Sequence, residues 1–183
     1  IRLNPRVDDL VERVAVTRDG IQLIVAGAIS RGGAGCACPQ STLLRRLLDH
    51  LVLERDEAVV IDLEAGLEHL GRRSAQAADA LLVVVDPSRT SLETAGRIRR
   101  LAGEIGLARV LAVGNKIGGP EDEAYLLQHL EGIELVGTIP YSQALMESER
   151  AGGPVAAVDA AVQAAAAHQT DTLELRCRGR VKA

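Results

Sequence analysis

Residues 80–114 read ALLVVVDPSRTSLETAGRIRRLAGEIGLARVLAVG. Two apolar runs, 80–86 and 109–114, bracket a stretch in which apolar residues recur at helical spacing from Leu92 to Ile105. A Thr90/Ser91 cap is expected to open that helix and Gly106 to close it. Runs without polar alternation suit parallel strands covered on both faces. A strand, a helix and a second strand in this order predict one unit of a parallel α/β sheet.

The same rhythm extends in both directions. Residues 21–29, 58–62 and 133–139 predict further strands. Leu43, Leu44, Leu47, Leu48 and Leu51 share one helical face, with Arg45, Arg46 and Asp49 on the other. Pro120 is well placed for the first turn of a helix over 121–130, and the Ala-rich stretch 155–167 predicts another. The expected fold is α/β, a doubly wound, mainly parallel sheet in a single domain over 1–183. A polar tail, 173–183, is expected to fray. The chain opens at Ile1 inside what reads as the end of a strand, without an initiator Met, which suggests part of a longer protein.

Composition narrows the partners. With 183 residues and a net charge of −4, the chain lacks the basic face of a general nucleic-acid binder. Hydrophobic content of 47% against 25% charged residues excludes a disordered chain. No apolar run reaches the roughly 18 residues of a membrane span, so no stable membrane insertion is expected, and the reading is cytoplasmic. Phe and Trp are absent and Tyr125 and Tyr141 are the only aromatic residues, leaving Leu, Val, Ile and Ala to build the core. Lys116 and Lys182 are the only lysines.

Three segments carry chemistry. Asp62-Leu63-Glu64-Ala65-Gly66 follows an apolar run, the arrangement of a Walker B/switch II segment. There the carboxylate holds Mg²⁺ through water and the glycine lets a backbone N–H approach a γ-phosphate. The competing reading is a strand-end turn. Asn115-Lys116 closes the run 109–114, where an Asn can hydrogen-bond a purine edge or simply make a turn. Pro140-Tyr141 closes the next run, where a loop could wall a base.

Cys36-Ala37-Cys38-Pro39 lies in a Gly-rich turn. Thiolates at i and i+2 can present both sulfurs outward, half of a tetrathiolate site that a second copy of the chain could complete. Alternatively the pair is buried as small hydrophobes. A disulfide within the pair would be strained. The surrounding Arg31-Gly32-Gly33-Ala34-Gly35-Cys36-Ala37 imitates a deviant Walker A loop, K-G-G-x-G-K-[ST]. Cys36 and Ala37 stand where the phosphate-binding Lys and the metal-binding hydroxyl belong, so this loop is not expected to bind ATP. His50, His69, His129 and His168 are scattered without ligand spacing, and Glu64 and Glu68 read as solvated carboxylates.

Taken in order, Asn4-Pro5-Arg6-Val7-Asp8, Gly32-Gly33, Cys36-x-Cys38-Pro39, Val60 to Arg72, Asn115-Lys116 and Gly137 to Tyr141 resemble the CooC type of accessory ATPase. This type inserts nickel during maturation of carbon monoxide dehydrogenase and belongs to the MinD/ParA/nitrogenase-iron-protein class. The resemblance runs from about Leu3 to Gly152; C-x-C-P and A-G-x-E-H-L are its more specific elements. It implies an ATP-hydrolysing homodimer whose paired Cys36 and Cys38 hold one Ni²⁺, or Zn²⁺, at the interface. It implies Asp62 in the Mg²⁺ shell and as the catalytic carboxylate, Gly66 at the γ-phosphate, Asn115 at adenine, and Pro140 and Tyr141 beside the base. The implied partner is a client metalloenzyme such as carbon monoxide dehydrogenase; the implied cofactors are ATP or ADP with Mg²⁺. The family's amino-terminal strand and Walker A loop would precede Ile1, so this chain alone is expected to be inactive toward ATP. Competing functions are a MinD/ParA-type positioning or partner-switching ATPase, and a non-enzymatic metal-binding scaffold.

Overall fold

The computed structural model describes residues 15–18, 20–25, 58–63, 78–107, 109–154 and 158–177. The chain divides into two compact units, 1–77 and 78–183. In the second, β3 (Leu81–Val85), α1 (Arg89–Glu104), β4 (Val110–Ile117), α2 (Pro120–His129), β5 (Glu134–Pro140), α3 (Gln143–Arg150) and α4 (Ala160–Cys177) follow in sequence. The strands form a three-stranded sheet in the order β3-β4-β5, and both pairings are parallel. The expected α/β alternation is therefore present from residue 81 onward.

Helices cover both faces. On one, Val83 and Val85 of β3 and Ala112 of β4 cluster with Ala95 of α1 and Leu126 of α2, joined by Leu130 and Ile133. On the other, Leu111, Val113 and Val136 pack with partly buried Ile139 and with Leu173 of α4. Full burial of each such aliphatic side chain contributes roughly 1.5–3 kcal/mol. The central strand β4 is buried on both faces, Leu111 to Gly114 without a break. In β3, Val83 and Val85 are buried while Leu82 and Val84 remain 39% and 59% exposed. An uninterrupted apolar run thus corresponds to two-sided burial in the middle strand and to one-sided burial at the edge of the described sheet.

Element ends follow from local chemistry. α1 is capped by Ser88, whose hydroxyl accepts the Ser91 N–H at 3.3 Å; the expected Thr90/Ser91 cap lies inside the helix instead. Two serines three apart compete for this role. The extended backbone at Ser88 (φ −126°, ψ 149°) gives it to the first. Past the helix end, the Leu107 N–H returns to the Ala102 carbonyl at 2.9 Å and the Gly106 N–H to Gly103 at 3.1 Å, a Schellman ending. Pro120 occupies the first turn of α2 as expected. The last helix starts later and runs further than 155–167. Asp159 caps its first turn, and Thr170 and Thr172 turn their hydroxyls back to the Ala166 and His168 carbonyls at 3.0 and 2.9 Å. The first five residues of the expected tail are therefore helical.

In the first unit, β1 (Val16–Arg18) and β2 (Ile21–Leu23) pair antiparallel, with Arg18 opposite Ile21. The two-residue connection contains Gly20 at φ 80°, which suits a tight hairpin turn. β2 is the start of the strand expected over 21–29; residues 24 and 25 carry no regular structure, and 26–29 lie outside the described residues. Residues 58–63 carry no regular structure either, and Val60 is 92% exposed. An apolar run becomes a strand only where a ladder partner takes its N–H and C=O groups, and among the described residues 58–62 has none.

Candidate functional site

Because β3, β4 and β5 are parallel, their carboxyl ends share one edge of the sheet, the side on which open α/β sheets bind ligands. Asp86, Asn115 and Tyr141 follow or close the three strands there. Register gives their level: Val85 pairs with Gly114, and Gly114 with Thr138.

The ladder is irregular at this edge. Between the Gly114–Thr138 and Ile117–Pro140 pairs, β4 spends one residue more than β5, so Asn115-Lys116 forms a bulge. Lys116 adopts φ 59°, a left-handed conformation uncommon outside glycine. Bulges re-aim side chains beside functional sites, and this one falls on the Asn-Lys pair singled out from sequence. The Asn115 Oδ1 accepts the Lys116 N–H at 3.0 Å and retains a second lone pair. Its amide NH₂ has no partner among the described residues, so the carboxamide can still both donate and accept. That is the donor set a purine edge requires.

Close packing holds the bulge in place. A Cβ on Gly114 would stand 2.7 Å from Leu126 Cδ1, 3.1 Å from Thr138 Cγ2 and 3.3 Å from Ile117 Cδ1. Glycine here lets α2 lie directly on the end of β4. Just beyond the bulge, the Gly118 N–H donates to Asp122 Oδ2 at 2.7 Å, tying the strand exit to the first turn of α2.

The Pro140-Tyr141 loop is anchored on both sides. The Tyr141 N–H donates to the Ile117 carbonyl at 2.9 Å. Ser142 caps α3 by accepting the Leu145 N–H at 3.1 Å and donates its own proton to Asp159 Oδ2 at 2.6 Å. The Ser142 hydroxyl, followed by the Val162 and Ala161 amides, holds the Asp159 carboxyl below the usual aspartate range. Pro140 is half-buried, and Tyr141 is 49% exposed. At the end of β3, Ser88 donates to Asp86, whose N–H donates to Ser91 Oγ at 3.1 Å.

Asn115, Pro140 and Tyr141, singled out from sequence, lie at this edge of the sheet. The two supporting knots, Asp86-Ser88-Ser91 and Ser142-Asp159, were missed from sequence. The first is legible as a short D-x-S-x-x-S spacing; the second joins residues 17 apart and leaves no local signal. Asp62 is an exposed carboxylate in the segment 58–63. Gly66, Cys36 and Cys38 lie outside the described residues. Among the described residues no group of three His, Cys, Asp or Glu side chains is placed to hold a metal, and no helix is long and apolar enough to cross a membrane. A cavity of about 590 Å³ opens at the opposite end of the sheet, where Arg99, Arg100, Arg109 and Glu134 line the starts of β4 and β5. It is separate from the edge that carries Asn115.

No family model matches the chain. The chain is 41% identical over 156 residues to an uncharacterized ATP-binding protein of Methanocaldococcus jannaschii, covering 84% of this chain and 61% of that protein. It is 40% identical over 150 residues to the carbon monoxide dehydrogenase accessory protein CooC of Rhodospirillum rubrum, covering 82% and 57%. It thus spans about three fifths of the length of these relatives. Among solved structures, a ParA family ATPase from Chlorobium tepidum TLS superposes with a TM-score of 0.65 at 18% identity, over 95% of this chain and 71% of that one. This last likeness concerns the fold. The chain is thus similar to CooC and to a related ATP-binding protein over about three fifths of their length, and it shares the α/β fold of a ParA family ATPase.

Proposed function

We propose that this chain reads a nucleotide base and carries metal in the work of an ATP-dependent nickel chaperone that matures carbon monoxide dehydrogenase. The observation that carries this reading is the C-x-C-P pair at Cys36 and Cys38 in a chain this similar to the accessory protein CooC. The Asn115 carboxamide at the strand edge, whose oxygen takes the Lys116 N–H and whose NH₂ has no partner among the described residues, supports the nucleotide half of the proposal.

The work divides among the chain's own groups. Asn115 reads the base by donating to and accepting from its edge, while Pro140 and Tyr141 flank the ring. Asp62 is the residue that would hold the Mg²⁺ shell, and Gly66 the one that would offer its N–H to the γ-phosphate. Mg²⁺, when bound with ATP, neutralises charge that develops on the phosphates. Cys36 and Cys38 take nickel as cargo, because soft thiolates suit a borderline divalent metal. Each chain supplies two sulfurs, and a second copy across a two-fold axis completes a four-coordinate set. Opening and closing of that dimer covers or releases the cargo.

Metal content by elemental analysis, with mass by light scattering, tests this under reducing conditions. One metal per two chains is expected. Cys36→Ser and Cys38→Ser each abolish it, whereas Cys177→Ser, at the carboxyl end of α4, does not. Metal favours the dimer, since the site exists only there, and loading weakens as pH falls because the thiols must lose protons. One metal per monomer, or full loading of the double Cys36/Cys38 variant, contradicts the shared site.

A further inference from the structure

Ser142 and Asp159 do more than end two helices. Ser142 is 8% exposed, and its hydroxyl is used twice, accepting from Leu145 N at 3.1 Å and donating to Asp159 Oδ2 at 2.6 Å. Asp159 divides its oxygens. Oδ2 takes the Ser142 proton, while Oδ1 accepts the Ala161 and Val162 N–H groups at 2.8 and 3.3 Å. One carboxylate therefore joins the start of α4 to the start of α3. The residue before Ser142 is Tyr141, pinned from its other side by the Ile117 carbonyl, immediately past the Asn115-Lys116 bulge.

We propose that Asp159 is a positioning residue that sets the place of the Pro140-Tyr141 loop, and through it the base-binding edge, by way of Ser142. A helix cap needs only one acceptor, and Oδ1 already provides it. The second oxygen is spent on a buried hydroxyl in a different element, and charged acceptors make the shorter and stronger hydrogen bonds. The hydroxyl has no rotational slack, since moving its proton away from Asp159 leaves a buried donor unpaired. Displacement of the α4 start is therefore passed to Tyr141. The consequence for nucleotide rests on the proposed base site; the positioning itself does not.

Asp159→Ser isolates the link, because serine caps a helix about as well as aspartate but is too short to reach both α4 and Ser142. The aromatic content makes the readout clean. With ring-labelled tyrosine the chain gives signals from Tyr125 and Tyr141 alone, assigned with Tyr125→Phe. In Asp159→Ser and Ser142→Ala the Tyr141 signals shift and broaden while those of Tyr125 stay in place. Ser142→Thr, which keeps the hydroxyl, restores them. In the full-length protein, the preference for adenine over guanine triphosphates falls roughly three- to tenfold, the span of one hydrogen bond's net contribution. Unmoved Tyr141 signals in both Asp159→Ser and Ser142→Ala overturn the positioning role and leave a plain helix cap. Shifted Tyr141 signals in a protein whose wild type shows no base preference uphold the positioning and overturn the base site instead.

Discussion

The two ends of β4 are built differently. At its start β4 itself spends no extra residue; the shift there, between the Ala112–Leu135 and Val113–Gly137 pairs, comes from one extra residue on β5. Leu111 and Ala112 pair in step with Glu134 and Leu135, exposed Arg176 and Glu134 meet at 2.7 Å, and arginines line an open cavity. At its finish the register shifts, Lys116 turns left-handed, and buried or half-buried groups are tied by bonds from three elements. Departures from local rules tend to gather where a fold does chemistry. The regular end supplies scaffold, and the irregular end holds a side chain out of the ladder where a ligand can meet it.

The largest expected effect is at the irregular end. Gly114→Ala places a methyl group against Leu126, Thr138 and Ile117 at once, and overpacking of this kind costs about 1–3 kcal/mol. Chemical denaturation is expected to register that loss, together with weakened base recognition as the bulge shifts. A neutral Gly114→Ala would mean that the close approach of α2 does not hold the edge.

The regular end supplies the contrasting case. Glu134→Gln removes the ion pair with Arg176, whose side chains are 47% and 52% exposed. Exposed pairs of this kind contribute about 0–1 kcal/mol. The same denaturation experiment is expected to register little, and nucleotide preference to stay unchanged. A loss comparable to that of Gly114→Ala would erase the distinction between the two ends.

What was legible in the sequence follows the same division. Strands over 80–86, 109–114 and 133–139 were readable because burial imposes an apolar run, and Pro120 marked the start of α2 through its fixed φ. Asn115 stood out as a polar residue ending such a run. The bulge at Asn115-Lys116 was not readable, since register depends on which residue of β5 faces each residue of β4. Asp159 fell inside the helix expected over 155–167, and its bond to Ser142 was not readable because that partner lies in another element. The hairpin at Val16–Leu23 was not readable because its first strand, Val-Thr-Arg, precedes the run 21–29 and carries no apolar run of its own. Asp62 was singled out by its spacing to Gly66, and the fold of 78–183 does not bear on it.

The most direct test of the central claim, that the irregular edge reads a purine base, is nucleotide selectivity of Asn115→Ala in the full-length protein. Affinities for ATP and GTP are measured side by side by calorimetric titration. Loss of the carboxamide is expected to remove most of the preference for ATP while triphosphate binding persists through contacts elsewhere. Asp62→Asn serves as the internal contrast, lowering Mg²⁺-dependent hydrolysis and leaving the ratio of affinities in place. An ATP-over-GTP preference unchanged in Asn115→Ala would contradict the account.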